Sequence, residues 1–289
     1  MSELTLPAPG KLNLFLHVLG RRPDGYHRLQ TLFQLLDFGD RLTFTVTGDG
    51  QIAVEPPLPG VPLEANLAYR AARLLASRAP PGVGVRIRVD KRLPMGGGLG
   101  GGSSDAATTL LALNRLWGLD LSLEALARLG LRLGADVPLF VLGHSAWGEG
   151  IGEVLAPVRL PDAWYLVVDP GVAVSTARIF AHRELTRDDA PITMSAFLEG
   201  GGRNSCQPVV EALYPEVRRA RLWLAAFGAA RMTGTGACLF ARFATREEAE
   251  AVRRRIPAPW RGFVARGVDR SPAHEALFPG SQNWGVAKR

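Results

Sequence analysis

Residues 94–104 read Pro94, Met95, Gly96, Gly97, Gly98, Leu99, Gly100, Gly101, Gly102, Ser103 and Ser104, and they pass without a break into an apolar-periodic stretch at 105–117. Glycine at this density is incompatible with the interior of a regular strand, so the run predicts a loop that feeds a helix N-terminus. There the loop's N–H groups can converge on one anion, and the helix adds unpaired donors and the positive end of its dipole. Ala106, Leu110, Leu113 and Trp117 recur at helical spacing, Ser103 or Ser104 is available as a cap, and Gly118 follows the end. Before the glycines, Val85, Ile87 and Val89 alternate with Arg86, Arg88 and Asp90, the pattern of a half-buried strand.

A strand, a glycine loop and a helix in this order make a phosphate cradle, and two familiar versions can be tested. A P-loop needs lysine before its terminal Ser or Thr, whereas Gly102 precedes Ser103. A dinucleotide fold expects a buried parallel strand, whereas the strand at 83–93 alternates. The bland alternative, a flexible linker, is seldom followed at once by a capped apolar helix.

The 289 residues suffice for one large or two ordinary domains, and 47% hydrophobic with 21% charged content is ordinary for a soluble globular chain. No apolar run approaches the roughly 20 residues of a membrane span, and no basic-then-apolar leader opens the chain, so a cytoplasmic protein is expected. Cys206 and Cys238 form no Cys-x-x-Cys pair, which argues against a disulfide framework or a zinc site. The net charge of +7 suits an acidic partner. Its basic residues are scattered without an aromatic-interleaved stripe, so a small phosphorylated molecule is expected and no nucleic acid. Hydrolase signatures such as Gly-x-Ser-x-Gly and His-Glu-x-x-His are absent.

Of 34 basic residues only Lys11, Lys91 and Lys288 are lysine, so each lysine asks for a reason. Lys11 opens a predicted strand whose alternation puts Leu12, Leu14, Leu16 and Val18 on one face and Lys11, Asn13, Phe15 and His17 on the other. A compact ammonium suits a point contact to a phosphoryl oxygen, although a solvated lysine at a strand end is as common. Asp136 sits among apolar neighbours between Gly134 and Pro138, where a carboxylate either caps backbone N–H groups or has a chemical task. If Lys11, Asp136 and the glycine loop share a cleft, they fit phosphoryl transfer to an alcohol. Tyr26, His27 and Phe180 could hold an aromatic ring by stacking and an edge hydrogen bond, though aromatics are more often packing.

Along the chain, strands are predicted at 3–19, 27–38, 41–47, 52–55, 83–93, 164–168 and 238–243. Helices are predicted at 66–77, 105–117, 122–133 and 215–227, with another launched by a Thr245/Glu248 capping box. Turn chemistry at Pro23, Asp24 and Gly25 separates the first two strands. The order makes an α+β protein with two units, 1–155 and 156–289, and a weakly ordered tail at 279–289.

These segments resemble the kinase superfamily named for galactokinase, homoserine kinase, mevalonate kinase and phosphomevalonate kinase, whose central motif is a proline-led, glycine-rich loop ending in serines. The motifs at 8–14, 22–27, 134–138 and 234–238 narrow the resemblance, over nearly the whole chain, to the branch acting on a cytidyl-diphosphate methylerythritol in non-mevalonate isoprenoid synthesis. The resemblance implies a ribosomal-protein-S5-like N-terminal domain, a ferredoxin-like C-terminal domain, and ATP in the cleft between them. It implies Lys11 and Asp136 as the catalytic pair, Pro94 to Ser104 around the ATP phosphates and Asn66 on the adenosine side. Asn13 and Thr176 would touch the substrate, and Tyr26, His27 and Phe180 its cytosine. Magnesium is implied without a ligand set. Asparagine often occupies the family position of Asp105, where a carboxylate either repels ATP or helps hold magnesium. A homoserine or mevalonate kinase, which has no use for a cytosine clamp, and a non-catalytic nucleotide or nucleic-acid binder are the alternatives.

Overall fold

A computed structural model describes residues 2–280; of the expected tail, 281–289 lie outside the described residues. The first half comprises β1 (Glu3–Arg21), β2 (His27–Thr47), β3 (Ile52–Val54), α1 (Leu67–Leu75), β4 (Gly84–Asp90), α2 (Gly101–Leu116), α3 (Leu123–Leu131), α4 (Val137–Leu142), β5 (Ala146–Gly150) and β6 (Val154–Pro157). The second comprises β7 (Trp164–Asp169), α5 (Thr176–Ala181), α6 (Met194–Leu198), α7 (Gln207–Leu213), α8 (Pro215–Ala225), β8 (Arg231–Met232), β9 (Leu239–Phe243), α9 (Arg246–Arg253), β10 (Arg261–Val268) and α10 (Pro272–Leu277). Among the described residues no helix is long and apolar enough to cross a membrane.

Three local expectations need correction. The strands expected at 27–38 and 41–47 are one continuous β2, because Gly39 lets β1 approach so closely that a Cβ there would lie 2.0 Å from the carbonyl oxygen of Ala8. The central helix begins at Gly101, four residues before Asp105, so Ser103 and Ser104 lie inside its first turn and cannot cap it. Gly100 is the cap instead, in a left-handed conformation (φ 73°) that glycine adopts without strain. The expected alternation of β1 also breaks. Its pairing with β2 shifts register between Asn13 and Leu16, and Leu12, Leu14 and Phe15 share one core cluster.

The sheet runs β3-β4-β2-β10-β7-β9-β8, with β1 and the β5-β6 hairpin on β2. One strand joins the halves: β10 pairs through Arg261–Arg266 with β7, then through Gly267 and Val268 with Leu36 and Leu35 of β2. Gln34 and Ser145 seal this crossing, both donating to the carbonyl of Val268 at 3.0 and 2.8 Å. Beneath it, Leu12, Leu32 and Leu36 pack with Tyr165, Val167 and Phe240 in a core drawn from both halves. Helix α2 is buried from Ser104 through Leu113, so the glycine loop is anchored to an enclosed helix.

The end of the chain returns to the first half. Leu277 of α10 enters the N-terminal core, and the buried His274 donates from Nε2 to the carbonyl of Val141 in α4 (2.8 Å). Burial, aided by His144 and Arg270, lowers the His274 pKa to about 4, against 6.5 in the unfolded chain. The unfolded chain therefore takes up a proton near pH 6.5 that the folded chain refuses until about pH 4. Stability from this site is fully present above pH 6.5 and is lost as pH falls toward 4, by on the order of 3 kcal/mol. Denaturant melts of wild type and His274→Gln at pH 7 and 4.5 should show a smaller pH-dependent loss in the variant; equal losses would refute the assignment.

Candidate active site

Lys11 enters the site because β1 is tied to the glycine loop: its backbone N–H donates to the carbonyl of Leu99 (3.0 Å). The Lys11 side chain is almost fully buried, and Nζ donates to Asn13 Oδ1 (2.5 Å) and to the carbonyl of Gly98 (2.9 Å). Nζ also lies 3.4 Å from Asp136 Oδ2. An ammonium removed from water needs such acceptors, because an unpaired buried charge costs several kcal/mol or more. Asp136 occupies the N-cap position of α4, yet its side chain makes no capping bond. Of the two tasks open to this carboxylate, capping is thus excluded by geometry. Its side chain is 32% exposed, open to a reactant on one side and to Lys11 on the other.

A second glycine loop supports the first. The Gly98 carbonyl also accepts from Thr233 Oγ1 (3.3 Å), the Thr233 hydroxyl accepts from the backbone of Asn13 (2.9 Å), and Cys238 N donates to Gly97 O (3.1 Å). Gly98 is left-handed (φ +75°), and a Cβ there would lie 2.2 Å from the carbonyl oxygen of Thr233. Asn204 holds the far loop by donating to the carbonyls of Met232 and Gly234, each at 2.8 Å.

Beneath the helix start, Lys91 donates to Asp40 and to Asp105 Oδ2 (2.9 Å), while Asp40 Oδ1 accepts the N–H groups of Arg92 (2.6 Å) and Leu93 (2.8 Å). Burial raises the Asp105 pKa to about 7; Lys91 opposes the rise and Asp40 adds to it. Burial works against the Lys91 charge, but Asp105 and Asp40 outweigh it and raise its pKa. Ser104 Oγ and Asp105 Oδ1 are buried without a hydrogen-bond partner. Among the described residues there is no group of three or more His, Cys, Asp or Glu side chains arranged to hold a metal.

Lys11, Asn13, Asn66, Pro94 to Ser103, Asp136, Thr176 and Phe180 line one cleft of about 610 Å³. Asn66 also caps α1, accepting from Ala68 N (2.9 Å) and Tyr69 N (3.3 Å). Ser104 is fully buried behind the lining, and Thr176 meets Thr235 hydroxyl to hydroxyl at 2.8 Å. Tyr26 and His27 are outside the lining: Tyr26 is exposed, and His27 stacks on Phe180 with centroids 5.0 Å apart. His27 and Phe180 thus cover each other, and a base would use what faces remain. Sequence reasoning passed over Asp40 and Arg187, which carry no local signature. Lys91 had one, the rarity of lysine in this chain.

The family described as GHMP kinases N terminal domain matches residues 66–144, and GHMP kinases C terminal matches 190–262. The chain is 56% identical to the 4-diphosphocytidyl-2-C-methyl-D-erythritol kinase of Chromohalobacter salexigens, over 96% of this chain and 95% of that one. It is 59% identical to the enzyme of the same name from Alkalilimnicola ehrlichii, covering 91% and 90%. A crystal structure of 4-(cytidine 5'-diphospho)-2C-methyl-D-erythritol kinase superposes with a TM-score of 0.81 at 36% identity, covering 92% of this chain and 100% of that one. A mevalonate kinase structure, at TM-score 0.64 and 16% identity over 92% of this chain and all of its own, shares the fold. With a two-half GHMP fold, a glycine loop at a helix start and this degree of identity over almost its full length, the chain belongs to the 4-diphosphocytidyl-2-C-methyl-D-erythritol kinase family of the GHMP kinases.

Proposed function

We propose that this chain transfers the γ-phosphoryl group of ATP to the 2-hydroxyl of 4-diphosphocytidyl-2-C-methyl-D-erythritol, giving the 2-phosphate and ADP. The observation that carries the reading is the Lys11–Asp136 pair, 3.4 Å apart beside the glycine loop in one cleft. Residues 1–155 supply the phosphate cradle, Lys11 and Asp136. Residues 156–289 supply Thr176, Phe180 and the second glycine loop. No nucleic acid or membrane is needed for this chemistry.

The backbone N–H groups of residues 94–104 and the start of α2 bind the phosphates, and Asn66 borders the adenosine end. Phosphoryl transfer passes through a loose transition state, so positioning and charge matter most. Lys11, its remaining ammonium capacity turned to the cleft, offsets charge that grows on the transferred group. Asp136 accepts the hydrogen of the acceptor hydroxyl and aims its oxygen along the line of attack. Asn13 holds Lys11 in register while it borders the acceptor, Thr176 contacts the acceptor's polar chain, and Tyr26, His27 and Phe180 form the cytosine corner. Magnesium is compatible with Asp105, which lines the cleft and whose hard Oδ1 has no partner while Oδ2 is held by Lys91; when bound it would neutralise phosphate oxygens.

An ADP-release assay with ATP, magnesium and the cytidyl substrate, run beside homoserine and mevalonate, should give turnover with the cytidyl compound alone. ADP appearing only with homoserine or mevalonate would overturn the substrate. Asp136→Asn and Lys11→Met should each lower kcat by roughly 10²-fold to 10⁴-fold while thermal melting shows a folded protein; near-normal rates in both would overturn the mechanism. Gly98→Ala, forced against the Thr233 carbonyl at a positive φ, should lose ATP binding or fail to fold, whereas Gly96→Ala has open space around its Cβ and is opposed by its φ alone. Calorimetric ATP titration should therefore show the larger loss for Gly98→Ala, and equal losses would remove the loop-to-loop contact from the account.

A further inference from the structure

One side chain ties the cytosine corner together. Arg187 donates from Nε to His27 Nε2 (3.0 Å), from Nη1 to the carbonyl of Leu185 (3.0 Å), and from Nη2 to the carbonyls of Phe180 (2.9 Å) and His182 (2.8 Å). A guanidinium carries only donors, so the Nε2 it faces must offer a lone pair. An imidazole with Nε2 as acceptor bears its hydrogen on Nδ1. Burial first, then the charges of Arg187 and Arg21, lowers the His27 pKa, which keeps the ring neutral near pH 7. Nδ1 makes no hydrogen bond among the described residues, so that hydrogen is available to a ligand. Through the Phe180 carbonyl, Arg187 also steadies the helix end whose ring stacks on His27 and lines the cleft.

We propose that Arg187 is a positioning residue for base selection: it fixes His27 as an Nδ1–H donor, which suits cytosine, whose N3 is an acceptor, and opposes uracil, whose N3 bears hydrogen. The inference rests on the cytidyl substrate proposed above. A donor facing a donor leaves both unpaired, which is how a polar site rejects an analogue of nearly the same shape. Without Arg187 the ring can take either tautomer, and the form with a lone pair on Nδ1 accepts from uracil.

Two readouts test this on the full chain. Imidazole 15N spectra of the wild type near pH 7 should report His27 protonated on Nδ1; protonation on Nε2 overturns the proposal without any variant. Titrations should show CDP binding at least about tenfold tighter than UDP in the wild type, a gap that narrows to about threefold or less in Arg187→Met. Arg187→Lys, which keeps a donor for Nε2, should retain more of the gap, and Arg187→Met should raise KM more than it lowers kcat. An unchanged CDP-to-UDP ratio in folded Arg187→Met, or in Arg187→Lys a ratio lower than in Arg187→Met, overturns the role of Arg187. Absence of CDP binding by the wild type overturns the substrate reading and the base selection with it, whereas the wrong tautomer with CDP still bound overturns Arg187 alone.

Discussion

The backbone contact at Gly98 is the constraint on which the cleft depends. Its carbonyl accepts from Lys11 of the first half and from Thr233 of the second, and its Cα lies where any side chain would strike the Thr233 carbonyl. Two glycine loops from opposite halves of the chain can therefore touch, and one carbonyl helps set the height of the Lys11 ammonium. The shared core under β10 supports this contact, since Gly267 and Val268 bind β2 while the residues before them bind β7. Had the halves been joined only by a linker, Asn13 and Thr233 would not hold a fixed distance.

Charge in the cleft is arranged by what surrounds each group. Lys11 is enclosed by acceptors, one of them a carboxylate reachable from the cleft. Lys91 is locked between two buried carboxylates and anchors the segment entering the glycine loop, with Asp40 also receiving the backbone of Arg92 and Leu93. Two lysines close to the same loop thus have different surroundings: one meets a partly exposed carboxylate in the cleft, and the other holds the loop's entry. A buried ion pair is a weak source of stability, so the second is better understood as fixing geometry.

The candidate site is joined to the fold by distant contacts. Asp136 starts α4, whose last turn is held by His274 from the end of the described chain, and Gly143 can end that helix only because no side chain there obstructs the His274 ring. Small shifts of α10 would move the carboxylate relative to Lys11. Where reacting groups must stand within a few tenths of an ångström, a site built on helix ends and strand bulges gains its accuracy from such packing.

Much of this was legible in the residues themselves. The glycine run before an apolar helix, the alternation of β4, the Thr245/Glu248 capping box and the rarity of lysine are local signals, because hydrogen-bond geometry and side-chain periodicity act within a few positions. The single β2 and the start of α2 at Gly101 were not, since Gly39 and Gly100 depend on partners elsewhere to decide whether a glycine ends an element or permits a close approach. The sequence alone determined the glycine loop at a helix start, most of the longer strands and helices and the family motifs, but not β8, β10 or the short helices α5, α6, α7 and α10. Only the tertiary structure decided that Asp136 faces Lys11 instead of capping α4, that Thr233 braces Gly98, and that Arg187 claims one nitrogen of His27. Those outcomes depend on distances between residues 125 to 160 positions apart, and no short-range preference of the chain encodes such a distance.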